Sequence, residues 1–260
     1  MSESPFSQGT GRLIVAHRGD SAHEAENTLE AFDAAVAAGA DAVEFDVRVA
    51  ADGTAIVLHD PGVERTTDGV GLVRDLTLGQ IKQLRIRTRD GGSTEVPTLE
   101  ETLGCLSGRV AIDVEIKNLP GEPGFDGERE LALEATLRAL DRTGFSGPVL
   151  LSSFNPLTLA RARELAPTVP RGLLTTEEVE ASAALGYAIS EGHPWILPFA
   201  GTVLEAGDGF AERAREADVS VGAWITDDPA AALALWDAGV TAVATNDPRA
   251  LIEARGGATG

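Results

Sequence analysis

Short apolar runs alternate with Ala-, Leu- and Glu-rich stretches along almost the whole chain, and that rhythm leaves few folds open. Nine runs read as strands: 13–17, 41–47, 54–59, 110–117, 148–153, 171–175, 195–199, 219–225 and 241–245. Strands spaced by helical stretches predict βα units around a parallel sheet. With 260 residues the chain has the size of one α/β domain of the (βα)8 TIM-barrel type, which takes roughly 250. A barrel of that type has eight strands, so one of the nine is surplus.

The spacing identifies it. Only Arg48 to Thr54 separate Val47 from Ala55, whereas a parallel crossover needs about a dozen residues or more. Asp52-Gly53 is instead a strong signal for a two-residue hairpin turn. The run 54–59 is therefore predicted to fold back antiparallel on 41–47. With Asp52-Gly53 at the tip, partners have numbers that sum to 105, which sets Asp46 across from His59. Residues at about 60–107 become an insertion, and 110–117 becomes the third barrel strand. The insertion shows turn residues at Asp68-Gly69-Val70-Gly71, a short helix near Leu76–Leu84 and a charged stretch from Arg85 to Glu95. Thr98 then reads as a helix N-cap, with Glu101 placed to complete a capping box.

Charge bounds the partners. The net charge is −20, which argues against general binding to nucleic acid or anionic membranes. An anionic substrate must then meet a local cluster of cations or a metal. The chain holds two lysines, Lys82 and Lys117. One cysteine, Cys105, allows no internal disulfide and fits a reducing compartment. No apolar run approaches the roughly 18 residues of a membrane span. Residues 1–12 are polar, without a secretory pattern, and read as a flexible tail. Residues 255–260 read as a second one, leaving 13–254 as a single barrel domain. These signals place the protein in the cytoplasm, with no stable membrane insertion; they leave its oligomeric state open.

Two strand ends carry chemistry. Leu13-Ile-Val-Ala-His17 and Ala55-Ile-Val-Leu-His59 each finish on an imidazole, the usual proton carrier near neutral pH. Between them, Glu44 and Asp46 share one face of a strand whose other face is Val43, Phe45 and Val47. Strand 110–117 repeats the pattern, with Asp113, Glu115 and Lys117 opposite Val110, Ile112, Val114 and Ile116. The outside of a barrel is covered by helices and must be apolar, so the acidic faces point into the lumen, toward the C-terminal mouth. Glu44, Asp46 and Glu115 then converge as three oxygen ligands for Mg²⁺ or Ca²⁺. Four histidines and one cysteine argue against a closed zinc site. Paired proton carriers beside a hard cation suit acid/base chemistry on phosphate esters. A purely structural ion-pair plug is the competing reading of the same charges.

The ordered set His17-Arg-Gly19, Glu26-Asn27-Thr28-x-x-Ala31-Phe32, Gly39-Ala-Asp41-x-x-Glu44-x-Asp46-Val47, Asp52-Gly53, His59-Asp60 and Pro97-Thr-Leu-Glu100 resembles the glycerophosphodiester phosphodiesterases. These belong to the phospholipase C-like phosphodiesterase barrels. Glu115-x-Lys117, Ser153-Phe154 and Trp224 extend the likeness, which covers about residues 12–253. The resemblance implies metal-dependent hydrolysis of a glycerophosphodiester, a small-molecule substrate, to an alcohol and sn-glycerol 3-phosphate, with Mg²⁺ or Ca²⁺. It implies His17 and His59 as the acid/base pair, His17 preferred as base, and Glu44, Asp46 and Glu115 as metal ligands. Arg18 and Lys117 would touch phosphate, and Phe154 and Trp224 would pack against the glycerol or line the pocket.

Some positions depart from that pattern. Ala25 replaces the usual Pro before Glu-Asn-Thr. Ile-Thr-Asp-Asp follows Trp224 where T-V-N-D is usual, and the closing T-D-x-P reads Thr245-Asn246-Asp247-Pro248. Asn27 is expected to brace the first loop, with a pocket role as the alternative; His23 to sit at the surface, with a reach to the mouth as the alternative; and His193 to line the pocket or pack. Two alternatives remain: a lysophospholipase D-like lipid phosphodiesterase, and a catalytically silent barrel that binds phosphate esters.

Overall fold

The computed structural model describes residue 6, residues 11–207 and residues 209–257. Among these, the strands in chain order are β1 (Leu13–His17), β2 (Ala42–Val49), β3 (Ala55–Val57), β4 (Ile86–Arg87), β5 (Ser93–Thr94), β6 (Ala111–Ile116), β7 (Val149–Ser153), β8 (Arg171–Thr175), β9 (Trp195–Pro198), β10 (Ser220–Ala223) and β11 (Ala242–Thr245). Strands β2, β6, β7, β8, β9, β10, β11 and β1 pair in parallel, and β1 closes the ring on β2. Helices run between the barrel strands. The fold is the eight-stranded (βα)8 barrel that the alternation predicts.

The hairpin forms, with a shifted register. Strand β2 outruns β1: its residues Ala42 to Glu44 pair with β1. Higher up, Val47 to Val49 pair antiparallel with β3. The partners are Val47↔Val57, Arg48↔Ile56 and Val49↔Ala55, so their numbers sum to 104 and the expected sum of 105 is corrected. The cause lies in the turn. Ala50 N donates to Thr54 O, and Gly53, at φ 84°, occupies the left-handed position. Ala51, Asp52 and Gly53 thus form a three-residue loop with a left-handed last residue, in place of a two-residue turn. Asp46 therefore meets Leu58, whose N–H donates to Asp46 O. His59 lies beyond the ladder, where the chain bends, and Arg48 Nε donates to its carbonyl at 2.6 Å.

The barrel's outer faces are apolar, as the alternation requires. Val43, Phe45 and Val47 of β2 and Ile112, Val114 and Ile116 of β6 pack with Phe32, Leu99, Leu103 and Leu133 from the helices. The helix Leu99–Leu106 starts at the expected capping box, with Thr98 and Glu101 each bonded to the other's backbone. The insertion has its own small core, including Ile56, Leu58, Val63, Val73, Ile81, Ile86 and Val96. Its charged stretch holds the two-stranded pair β4–β5, which was not expected. Ladders this short are set by local turn bonds, here Gly91 N to Thr88 O, and carry no strand periodicity.

Some described residues within the two expected tails contact the barrel. Phe6 lies within the stretch expected to be flexible, yet it is buried edge-on against Trp195 in the barrel floor. The last helix, Pro248–Gly257, continues past the expected fraying point at Arg255. Arg255 pairs with Asp41 and donates to Arg12 O. The remainder of both expected tails lies outside the described residues. Among the described residues, no helix is long and apolar enough to cross a membrane.

The lower lumen is a packed core of Val15, Ala42, Ala111, Leu150, Leu174, Trp195 and Leu197. Leu197 fits because the two strands flanking its own, β8 and β10, present glycines beside it. A Cβ on Gly172 would lie 2.7 Å from Leu197 Cδ1, and one on Gly222 would lie 2.6 Å from Leu197 Cδ2. Gly222→Val is therefore expected to destabilise the fold by about 1–3 kcal/mol through overpacking. Denaturant unfolding checks this, and adding Leu197→Ala should recover part of the loss. An unchanged unfolding midpoint in the single variant refutes the packing account.

Candidate active site

Above the apolar floor the lumen turns polar, at the C-terminal ends of the strands. Glu44 and Asp46 reach in from β2, Asp113 and Glu115 from β6, and Ser152 from β7. Carboxylate oxygens of Glu44, Asp46 and Glu115 lie within 4.8 Å of one another. All three side chains are buried. Lys117 Nζ sits 3.0 Å from Asp46 Oδ1 and pairs with Glu115 Oε1. Arg18 Nε lies 3.2 Å from Asp46 Oδ2, and its backbone N–H donates to Glu44 Oε2 at 2.9 Å. That last bond needs the left-handed backbone of Arg18, at φ 57°. Asn27 N–H donates to Arg18 O at 3.1 Å within the first loop, and its Nδ2 donates to Asp46 Oδ2 at 2.7 Å in the site.

Electrostatics define what the cluster lacks. Burial raises Glu44 well above the usual carboxylate range, and Asp46 and Glu115 raise it further. Burial likewise pushes Glu115 up to about 7, against the pull of Lys117. Asp113, beneath them, is pushed up to about 7 by burial, although Ser152 Oγ donates to it at 2.7 Å. Asp46 is different: burial opposes its charge, but Lys117 and Arg18 hold it far below the usual range. Lys117 is held protonated by Asp46 and Glu115 despite burial. Four carboxyl groups thus face two fixed cations. Glu44 Oε1 is buried without a hydrogen-bond partner. A buried, unsatisfied carboxylate oxygen is costly, and a hard cation bound by three carboxylates removes that cost. The donor set fits Mg²⁺ or Ca²⁺.

The histidines flank this cluster on unequal terms. His17 Nδ1 lies 2.9 Å from Asn246 Oδ1, and its Nε2 lies 3.9 Å from Glu44 Oε2. Burial lowers its pKa to about 4, and Arg18 adds to the shift. His59 Nδ1 lies 2.5 Å from Asp60 Oδ1. Burial lowers His59 too, while Asp46 and Asp60 pull it back up. Arg65, from the insertion, ties these parts together. It bonds both Asp60 and Glu26, and Glu26 accepts from Arg18 at 3.0 Å.

At the rim, Phe154 and Trp224 meet edge-on with centroids 5.2 Å apart. Lys117 Nζ lies 5.8 Å from the Phe154 ring. A cavity of about 40 Å³ is bordered by His17, Glu44, Glu115, Ser152 and Trp224. All nine residues singled out as site residues therefore gather at one end of the barrel: His17, Arg18, Glu44, Asp46, His59, Glu115, Lys117, Phe154 and Trp224. His23 stays near the surface, bonded to Asp20 at 2.8 Å. His193 is buried just before β9, at the opposite end of the barrel.

A barrel of this topology with this mouth can be compared with known proteins. The model of the glycerophosphoryl diester phosphodiesterase family matches residues 17–250. The chain belongs to that family. It is therefore a phosphoric diester hydrolase by descent. It is 31% identical over 255 residues to a glycerophosphodiester phosphodiesterase of Caldanaerobacter subterraneus, covering 92% of this chain and 96% of the relative. An Oleispira antarctica phosphodiesterase, solved with the product sn-glycerol-3-phosphate, superposes with a TM-score of 0.82 at 27% identity. The match covers 94% of this chain and 96% of that one. The glycerophosphodiester phosphodiesterase of Thermotoga maritima gives 0.74 at 25%, covering 93% and 97%.

Sequence reasoning missed Arg65, Asp227 and Asn246. A signal for two of them existed. Asp227 and Asn246 stand at the departures from the family pattern, where T-V-N-D and T-D-x-P would carry Asn and Asp. The two positions touch: Asn246 Nδ2 donates to Asp227 Oδ2 at 2.9 Å. The departures are one exchange across one contact.

Proposed function

We propose that this chain hydrolyses glycerophosphodiesters to an alcohol and sn-glycerol 3-phosphate, using His17 as general base, His59 as general acid and a divalent cation on Glu44, Asp46 and Glu115. The observation that carries the reading is the unequal pair of imidazoles across one carboxylate cluster. His17 leans on a neutral amide and is held unprotonated by burial, which suits a base. Burial lowers His59 as well, but Asp46 and the Asp60 carboxylate on which it leans oppose that lowering, which suits an acid. Enzymes separate the roles of like groups in this way, by unequal surroundings.

His17 takes the proton of the attacking oxygen, and His59 hands one to the departing alkoxide, a poor leaving group. When bound, Mg²⁺ or Ca²⁺ neutralises charge on the phosphoryl oxygens. Arg18 and Lys117 supply fixed positive charge to the phosphate, and Lys117 stays protonated because two carboxylates face it. Phe154 and Trp224 form an apolar wall for the glycerol carbons. A cleft of about 370 Å³ beside Lys117 is bordered by Arg48, Arg74 and Arg129. Val49, Val73, Phe125, Leu131 and Asp126 line it too, so the cleft has room and mixed chemistry for the leaving group beside the phosphate.

The direct test is release of glycerol 3-phosphate from a panel of glycerophosphodiesters with choline, ethanolamine, glycerol and inositol head groups. Release is expected with Mg²⁺ or Ca²⁺ and is expected to stop with EDTA. No release from any substrate after metal is restored refutes the reading in favour of a silent barrel.

A further inference from the structure

We propose that Asp227 and Asn246 are positioning residues that fix which nitrogen of His17 carries the proton. The inference rests on the reading of His17 as a base, but its geometry is independent of that reading. An imidazole acts as a base through its unprotonated nitrogen, so the choice of nitrogen decides whether His17 faces the lumen as an acceptor or a donor.

A carboxylate can only accept hydrogen bonds. Asp227 accepts three at its position: from Thr245 Oγ1 at 2.8 Å, from Asn246 N at 2.7 Å and from Asn246 Nδ2 at 2.9 Å. The side-chain amide of Asn246 must therefore turn its NH₂ toward Asp227. Its Oδ1 is left facing His17 Nδ1, 2.9 Å away. That oxygen can only accept, so Nδ1 carries the proton. Nε2 is then the free lone pair, on the side of the ring that faces Glu44. Ser21 Oγ shares its one hydrogen between His17 O at 2.8 Å and this Oδ1 at 3.1 Å, so the orientation of the amide rests on Asp227. The chain Asp227–Asn246–His17 works as an orienting relay in which the charge sits one residue away from the imidazole. Asp227 lies at the exposed rim, so changing it leaves the barrel core untouched.

The test breaks the polarity and then restores it. In Asp227→Asn the carboxylate no longer dictates the amide's orientation, and Asn246 is free to offer NH₂ to His17. kcat on a glycerophosphodiester is expected to fall about 10- to 100-fold, as for other groups that orient a functional side chain. KM is expected to hold, since Asp227 is remote from the phosphate. Adding Asn246→Asp to that variant returns an acceptor to His17 Nδ1, with the amide now at position 227 as its donor, and kcat is expected to recover. Nitrogen-15 NMR of labelled histidines gives a readout free of activity. The wild-type His17 signal is expected to show protonated Nδ1 and bare Nε2, and Asp227→Asn is expected to lose that preference. A proton on Nε2 in the wild type, or full kcat in Asp227→Asn, overturns the proposal. If the wild type releases no glycerol 3-phosphate, the reaction assigned above fails, and the NMR result still decides the relay.

Discussion

His17→Ala and His59→Ala are each expected to lower kcat by about 10²–10⁴-fold, the usual worth of a positioned acid or base. The two losses should differ in kind. An alkoxide leaving group needs a proton in the transition state, whereas a nitrophenolate leaves without one. On a glycerophosphodiester with a nitrophenyl leaving group, His59→Ala should regain most of its activity. His17→Ala should stay impaired on both substrates, because the attacking oxygen still has to lose its proton. The geometry supports this split: His17 Nδ1 meets an amide oxygen and His59 Nδ1 meets a carboxylate. Rates for both variants on both substrates, at fixed metal concentration, give the answer. Equal rescue of the two variants refutes the division of roles, and near wild-type rates on choline esters refute the mechanism.

Much of this site was legible in the sequence for a simple reason. Strand alternation forces every second residue of β2 and β6 to one side, so Val43, Phe45 and Val47 on the helical side committed Glu44 and Asp46 to the lumen. The same argument placed Glu115. The seven-residue gap Arg48–Thr54 forbade a parallel crossover, which gave the hairpin that carries the chain back toward the site. What failed was register. A left-handed Gly53 serves either a two-residue or a three-residue loop, and composition does not distinguish them. His59 still reaches the site because the chain bends after β3, a feature of the insertion's packing that no periodicity encodes.

The contacts that depend on distant loops stayed hidden. Arg65 joins Glu26 to Asp60 across segments far apart in the chain, and nothing in its neighbours marks it. Phe6 read as part of a polar tail because its partner, Trp195, comes from β9. Asn246 and Asp227 were visible only as oddities in two motifs. Their contact gives those oddities a common physical meaning: a donor and an acceptor exchanged, with the hydrogen bond kept.

The cation-free protein is expected to lose stability as pH rises from about 4.5 to about 7, the reverse of ordinary acid denaturation. Burial raises Glu115 from 4.5 to about 7 and Asp113 from 3.8 to about 7 in the folded chain. Between those values the folded state holds protons that the unfolded state has released, so stability falls with increasing pH. At 1.36 kcal/mol per unit, Glu115 alone accounts for at most about 3 kcal/mol and Asp113 for at most about 4.5 kcal/mol. His17 opposes one of these groups: burial lowers it from 6.5 to about 4, so over that window its share of stability rises with pH, and the two carboxyl groups together with the raised Glu44 outweigh it. Asp46 does not offset them. Its pKa is depressed, so its stabilising share is already complete above the usual carboxylate value and is lost only in stronger acid. A divalent cation on Glu44, Asp46 and Glu115 takes the place of the protons, so its stabilising effect should be small near about pH 5 and large near about pH 8. Thermal unfolding with EDTA and with Mg²⁺ or Ca²⁺ at both pH values measures this. Calorimetry in buffers of different ionisation enthalpy should show protons released on binding, and Glu44→Gln should weaken that binding. A cation-free midpoint that rises with pH, or binding without proton release, refutes this account of the cluster.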